Sequence, residues 1–136
     1  MSFRPGMSWA LPVALGVLAL VRPVLSIAGA FESPGVLHRP AGPLIVTAAV
    51  AAIWVVVVVA RRDPQPVATL AGAGLAYAVL AVLLNLGLQP FLATAEAIPP
   101  AGVVAVLVTN VLQGLLLGAV AWVILRLLRA RRRVAP

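Results

Sequence analysis

The chain has 136 residues, of which 63% are hydrophobic and only 10% are charged, and its mean hydropathy is +1.14. This composition excludes an ordinary soluble domain, in which about 25% of the residues are charged. There is no cysteine, which excludes thiol catalysis, thiolate metal ligands and disulfides. On a soluble protein the net charge of +7 would indicate nucleic-acid binding, but these arginines flank long apolar segments, which indicates a membrane.

Four apolar segments are each long enough to cross a bilayer as a helix, which takes about 20 residues. They cover approximately residues 8–29, 44–60, 67–89 and 101–125. Strands of a membrane barrel would alternate polar and apolar side chains, and the run 54–59 does not alternate. We therefore predict an all-α membrane protein with four transmembrane helices, arranged as two antiparallel hairpins in a small bundle. Residues 1–136 would form a single integral membrane domain.

The first segment contains Arg22, the one charged residue that the sequence places inside an apolar segment. The next residue, Pro23, removes a backbone hydrogen bond to Ala19 and should open the helix locally. A charge within a span is costly and usually faces a bundle interior or a water-filled cavity. On this interpretation Arg22 is the centre of an outward-facing pocket for an anionic or polar solute, and Ser26 lies one turn later on the same face.

A structural interpretation of Arg22 is also open. If the first span runs from Pro5 to Arg22, the arginine lies at the membrane edge. There its long side chain would extend to the lipid headgroups, or it would pair with Glu32 or Glu96.

Residues 1–30 have a second interpretation as a secretory signal peptide. Arg4 precedes an apolar run, and small residues at 28–30 form a cleavage motif. Cleavage there would leave three spans and would not change the side on which the C-terminal tail lies.

The third and fourth segments carry polar side chains at depths similar to that of Arg22. At about 1.5 Å per residue, Asn85 lies about 7 Å and Asn110 about 13 Å below the outer ends of their helices. These amides either complete the pocket or hydrogen-bond between helices, which is worth about 0.6 kcal/mol each. The predicted pocket consists of Arg22, Ser26, Asn85, Thr109, Asn110 and Gln113.

Small residues recur every fourth position on the same two segments, a spacing that lets helix backbones approach closely in membranes. The predicted packing interface consists of Ala68, Gly72, Ala76, Gly114 and Gly118. Its partner is either a helix of the same chain, a second copy, or another membrane protein. From the sequence we favour the last two cases, in which the chain is a non-enzymatic membrane subunit or scaffold that associates through its third and fourth spans. The alternative is a small transporter or channel with the outward-facing pocket around Arg22.

The arginines predict the topology. With an even number of spans, the N-terminus, the second loop and the tail 126–136 lie on one side, which the positive-inside rule makes the cytoplasm. We predict a multi-pass protein of the cell membrane with both termini cytoplasmic. Arginines beside the membrane attract anionic headgroups, and no nucleic-acid partner is expected. The predicted lipid and topology anchor consists of Arg61, Arg62, Arg126, Arg129, Arg131, Arg132 and Arg133.

Residues suited to catalysis are sparse. The single histidine, His38, and the three acidic residues all lie in predicted loops, and no pair has the spacing of metal ligands or of an acid–base pair. We expect neither an enzyme nor a bound metal or cofactor. The size is similar to that of small multidrug transporters, but these need an acidic residue where this chain has Arg22. Residues 109–110 resemble a stretch of fluoride channels, whose phenylalanine-rich signature is missing, so no family is assigned.

Overall fold

The described residues of the protein form five helices. A computed structural model describes residues 9–29, 34–35, 38, 40–91 and 99–134, and within these ranges every regular element is helical. The elements are α1 (Ala10–Ala19), α2 (Val21–Ile27), α3 (Ala41–Ala60), α4 (Pro66–Leu88) and α5 (Pro100–Val134). The all-α prediction is confirmed. Three helices, α3, α4 and α5, are long and apolar enough to cross a membrane, which indicates a membrane protein.

The first predicted span is divided into two short helices, α1 and α2, neither of which is long enough to cross a bilayer alone. The break falls at Leu20, whose N–H donates to the carbonyl of Val17 at 3.0 Å, a bond that tightens the turn. Pro23 follows three residues later and has no N–H to donate to Ala19. Four complete spans therefore remain a prediction, whereas three helices of the described residues are long and apolar enough to span a membrane.

Two helix ends differ from the predicted boundaries. α3 begins at Ala41 rather than at residue 44, because Pro43 occupies the first helical turn, where its missing N–H has no cost. α5 does not end at residue 125 but continues through the arginine-rich tail to Val134. Arginine is a good helix former, and α5 therefore reaches about 52 Å in length.

α4 is the central helix and packs against α1 in a parallel orientation. Gly72 faces Pro12, and one turn further along both helices Gly16 faces Ala76. A Cβ added to Gly16 would lie 2.9 Å from the backbone nitrogen of Tyr77, so the two backbones are in direct contact. The small side chains of α4 at Gly72 and Ala76 thus pack within the chain.

The other side of α4 packs against α5 in an antiparallel orientation. Gly114 lies on the backbone of Leu70, and Gly118 lies on that of Val67. Added Cβ atoms would stand 2.8 Å from the Leu70 carbonyl carbon and 2.5 Å from the Val67 Cα. Four residues of the predicted interface therefore contact other helices of the same chain: Gly72, Ala76, Gly114 and Gly118. The fifth residue, Ala68, is half-buried, and none of these close contacts involves it.

α3 packs mainly against α5 and contributes Trp54 to the core. The Trp54 side chain is only 3% exposed, and its indole N–H donates to the carbonyl oxygen of Leu15 at 2.9 Å. This bond joins α3 to α1. The buried apolar residues around it are Leu15, Ala19, Val46, Val50, Trp54, Val58, Leu70, Ala73 and Ala121.

The turn between α3 and α4 is closed by two backbone hydrogen bonds. The N–H of Arg62 donates to the carbonyl of Val59 at 3.0 Å, and the N–H of Asp63 donates to that of Val58 at 3.2 Å. This pair of bonds ends a helix with one left-handed residue, which here is Arg62 with φ +52°. We call this end of the bundle, where α3 and α5 end and α4 begins, the arginine end.

Candidate functional site

A cleft among the five helices brings together polar side chains from four of them, α2, α3, α4 and α5. Its volume is about 20 Å³, which is room for about one water molecule. Its walls combine polar groups with the apolar surface of Trp54. The lining residues are Ala19, Arg22, Thr47, Val50, Trp54, Tyr77, Asn110 and Gln113.

The cleft lies near the middle of α4 rather than near the end remote from the arginines. The backbone of Asn110 packs on Gly74, which is about 12 Å from the start of α4 at Pro66 and about 21 Å from its end. Counting residues along α5 alone predicts that Asn110 lies closer to the end of the bundle that is remote from the arginines. The two depths differ because α4 and α5 are antiparallel and α5 begins several residues short of the level at which α4 ends.

Two of the lining polar side chains use their donors on their own helices. The hydroxyl of Thr47 donates to the carbonyl of Pro43 at 2.7 Å, and the amide of Asn110 donates to the carbonyl of Val106 at 2.8 Å. Such bonds to the preceding turn satisfy a polar side chain within an apolar helix. Thr47 therefore shapes the cleft but has no free donor in this arrangement of the bundle, whereas Asn110 uses one of the two N–H donors of its amide.

Three other lining side chains, Arg22, Tyr77 and Gln113, make no hydrogen bond or ion pair with any residue that the structure describes. In the same ranges, every fully buried side-chain nitrogen or oxygen has a hydrogen-bond partner. Because the polar atoms of these three side chains have no partner, they must be accessible. Arg22 itself is exposed. A guanidinium, a phenol and a primary amide thus converge from three helices on one small space, and all three can donate to a ligand.

Of the predicted pocket, the structure brings together Arg22, Asn110 and Gln113. Asn85 lies elsewhere on α4, where its Oδ1 accepts a 3.1 Å hydrogen bond from the side-chain amide of Gln89. Thr109 is exposed on α5 and does not line the cleft. The Ser26 side chain lies outside the described residues, as do the two predicted partners of Arg22, Glu32 and Glu96.

Thr47 and Tyr77 belong to the cleft although the predicted pocket did not include them. Each is an isolated polar residue within an apolar segment, which is the signal that singled out Asn110. Nothing local distinguishes them from Thr109, because the rotation of each helix decides which side chains face the cleft.

The predicted anchor arginines gather at the arginine end, where all seven are exposed. Two clefts there are lined partly by these residues. The larger, of about 200 Å³, lies beside Trp122, and the guanidinium carbon of Arg126 stands 5.0 Å from the centre of its ring, within the range of a cation–π contact. The second, of about 170 Å³, lies between Arg62 and the end of α5.

Comparison with known proteins found no family model, no curated protein and no solved structure that matches the chain.

Proposed function

We propose that the protein is a small, non-enzymatic transporter or channel of a cell membrane, and that its central cleft binds a small anionic or polar solute. The observation that carries this proposal is the convergence of Arg22, Tyr77 and Gln113, which have no partner among the described residues. Ionisable and polar groups at membrane depth are costly to maintain. Retaining three of them around one space is explained if a solute pairs with them.

The chemistry of the cleft favours an anion of few atoms. A guanidinium binds a carboxylate through two parallel hydrogen bonds, and the phenol of Tyr77 and the amide of Gln113 can add further donors. The available space of about 20 Å³ admits an ion such as chloride or formate only with a small shift of the surrounding side chains. Trp54 forms an apolar wall, which strengthens charged hydrogen bonds by excluding water.

The test is anion flux through proteoliposomes that contain the purified chain, with chloride and radiolabelled formate as the two probes. We expect the wild type to exceed protein-free liposomes with at least one probe. Arg22→Gln should lower that flux about tenfold or more, because a hydrogen bond to a charged group is worth about 1.5–3 kcal/mol. Tyr77→Phe removes a neutral donor without changing shape and should lower the flux severalfold.

Thr47→Val is the matched control, because Thr47 lines the same cleft but its hydroxyl is already bonded to Pro43. Its flux should equal that of the wild type. Circular dichroism and gel filtration of each variant would establish that it is folded. The proposal fails if Arg22→Gln conducts both probes as well as the wild type does, or if the wild type conducts neither.

A second candidate function is that of a membrane subunit or scaffold that associates through α4 and α5, the third and fourth predicted spans. Since most of the small residues of those helices pack inside the chain, a partner would use another face. The observation in its favour is the end of α4 remote from the arginines, where a Cβ added to Gly87 meets no atom within 4 Å and Leu83 and Leu86 are exposed.

This candidate is tested by disulfide cross-linking, which the cysteine-free chain makes specific. Leu86→Cys should cross-link in membranes to a partner or a second copy, whereas Val56→Cys, which is 63% exposed on α3, serves as the control. Equal cross-linking at both positions would indicate random collision and would reject the α4 interface.

A further inference from the structure

The smaller cleft at the arginine end, which we call the arginine cleft, carries an inference that is independent of the central cleft. It lies between the α3–α4 turn and the last turns of α5 and has a volume of about 170 Å³. Three of its five lining residues are arginines, and none is acidic. The lining residues are Arg62, Leu125, Leu128, Arg129 and Arg132.

The turn between the helices holds Arg62 in place. The two backbone bonds that close α3 require a left-handed residue at this position, and Arg62 takes it with φ +52°. Such a conformation is unfavourable for a residue with a Cβ, and glycine is the usual choice. The chain therefore keeps an arginine where the backbone alone would favour glycine, which is explained if its guanidinium has a role.

The acidic residue of this turn, Asp63, does not line the arginine cleft. One carboxylate oxygen of Asp63 accepts the backbone N–H of Gln65 at 2.8 Å, and the other accepts the hydroxyl of Thr69 at 2.6 Å. Asp63 lines the neighbouring cleft, beside Trp122, which shares Arg129 with the arginine cleft. The three guanidinium groups of the arginine cleft consequently repel one another without a carboxylate among its lining residues, and a bound anion would relieve that repulsion.

The opposite wall is formed by α5, which carries charge and apolar surface side by side. Arg129 and Arg132 are three residues apart and therefore lie on one face of the helix. Leu125, one turn before Arg129, is only 5% exposed and anchors this face to the bundle. Leu128 is exposed beside the arginines. A ligand in this cleft therefore meets charged groups above an apolar surface.

We propose that the arginine cleft binds a phosphate group through Arg62, Arg129 and Arg132. Planar guanidinium groups suit phosphate because they donate two parallel hydrogen bonds. The group comes either from an anionic phospholipid, whose chains would lie along Leu125 and Leu128, or from a soluble phosphate ester. The site is more specific than a general attraction of the tail to lipid, because Arg131 and Arg133 carry equal charge but do not line it.

The test is native mass spectrometry of the full chain in a neutral detergent, with phosphatidylglycerol and phosphatidylcholine added in equal amounts. The site variant is Arg62→Gln with Arg132→Gln. The matched control is Arg131→Gln with Arg133→Gln, which removes the same two charges from the formal net charge of +7. We expect the wild type and the control to retain phosphatidylglycerol preferentially, and the site variant to retain about tenfold less.

A parallel titration with glycerol 1-phosphate identifies the source of the phosphate. If the soluble ester displaces the lipid at millimolar concentration, the site takes free phosphate esters; if it does not, the ligand is the phospholipid. Arg132 lies on an exposed face of α5, so Arg132→Gln alone cannot disturb the α3–α4 turn. This single variant should lower the retention of phosphatidylglycerol severalfold. Equal losses in the site and control variants, or no loss in either, would overturn the proposal.

Discussion

The indole N–H of Trp54 donates a 2.9 Å hydrogen bond to the carbonyl oxygen of Leu15, 39 residues earlier in the chain. The bond joins α3 to α1, two helices that otherwise make few contacts with each other. Trp54 also lines the central cleft together with Arg22. This one side chain therefore both holds the first helix on the bundle and forms a wall of the candidate site.

Trp54→Phe should destabilise the protein by about 1 kcal/mol or more, because it removes the donor and the smaller phenyl ring leaves a cavity in the core. Thermal unfolding in detergent would measure the loss. Trp122→Phe is the control, since Trp122 is 46% exposed and should change the melting temperature little. A larger effect of Trp122→Phe than of Trp54→Phe would contradict the role assigned to the Leu15 bond.

Gly114→Ala should destabilise the packing of α5 on α4 by about 1–3 kcal/mol. The added methyl would stand 2.8 Å from the carbonyl carbon of Leu70, and a backbone cannot move aside as a flexible side chain can. Gly87→Ala is the same substitution in a helix with open space around it, so it should stabilise α4 by up to about 1 kcal/mol. The two melting temperatures should therefore shift in opposite directions; a shift in the same direction would indicate a different α4–α5 contact.

Arg62→Gly should raise the melting temperature, because glycine takes the left-handed conformation of this turn without strain. The gain is about 0.5–1 kcal/mol, since the greater freedom of glycine in the unfolded chain offsets part of it. Arg61→Gly is the control: its φ of −80° is ordinary for any residue, so the change should not stabilise. If the arginine cleft binds phosphate, Arg62→Gly should also weaken that binding while it stabilises the fold.

The predicted topology is tested with single cysteines in the cysteine-free chain. Ser33→Cys should react with a membrane-impermeant maleimide added outside intact cells, whereas Gln65→Cys should react only after the membrane is opened. The reverse pattern would show that the arginine end faces outward, against the positive-inside rule. Labelling of both positions from outside would contradict the predicted span between them.

The features of the fold that depend on residues close together in the sequence could be predicted. The uninterrupted apolar runs predict α3, α4 and α5, because in lipid a backbone must satisfy its hydrogen bonds within its own segment. Pro23 predicts an irregularity in the first segment, and α1 and α2 are in fact separate at Leu20. The extension of α5 through its arginines was not predicted, because polarity marks where a span ends but not where a helix ends.

The small residues illustrate the limit of such reasoning. Their spacing predicts that Gly114 and Gly118 contact another backbone, but it carries no information about which one. The fold places them on Leu70 and Val67 of the same chain. Which backbone the two glycines contact depends on the free energy of the whole bundle, in which α4 packs against both α1 and α5.

Arg22 was recognisable from sequence alone, because a charge within an apolar segment has to be accounted for physically. Its neighbours were only partly recognisable. Thr109 and Asn110 are adjacent in sequence, yet a helix turns by about 100° per residue, so only Asn110 faces the cleft while Thr109 is exposed. The sequence alone thus shows which polar residues lie within the apolar segments. Their assembly with Tyr77 was decided by helix register and rotation, which are set by contacts between residues far apart in the chain.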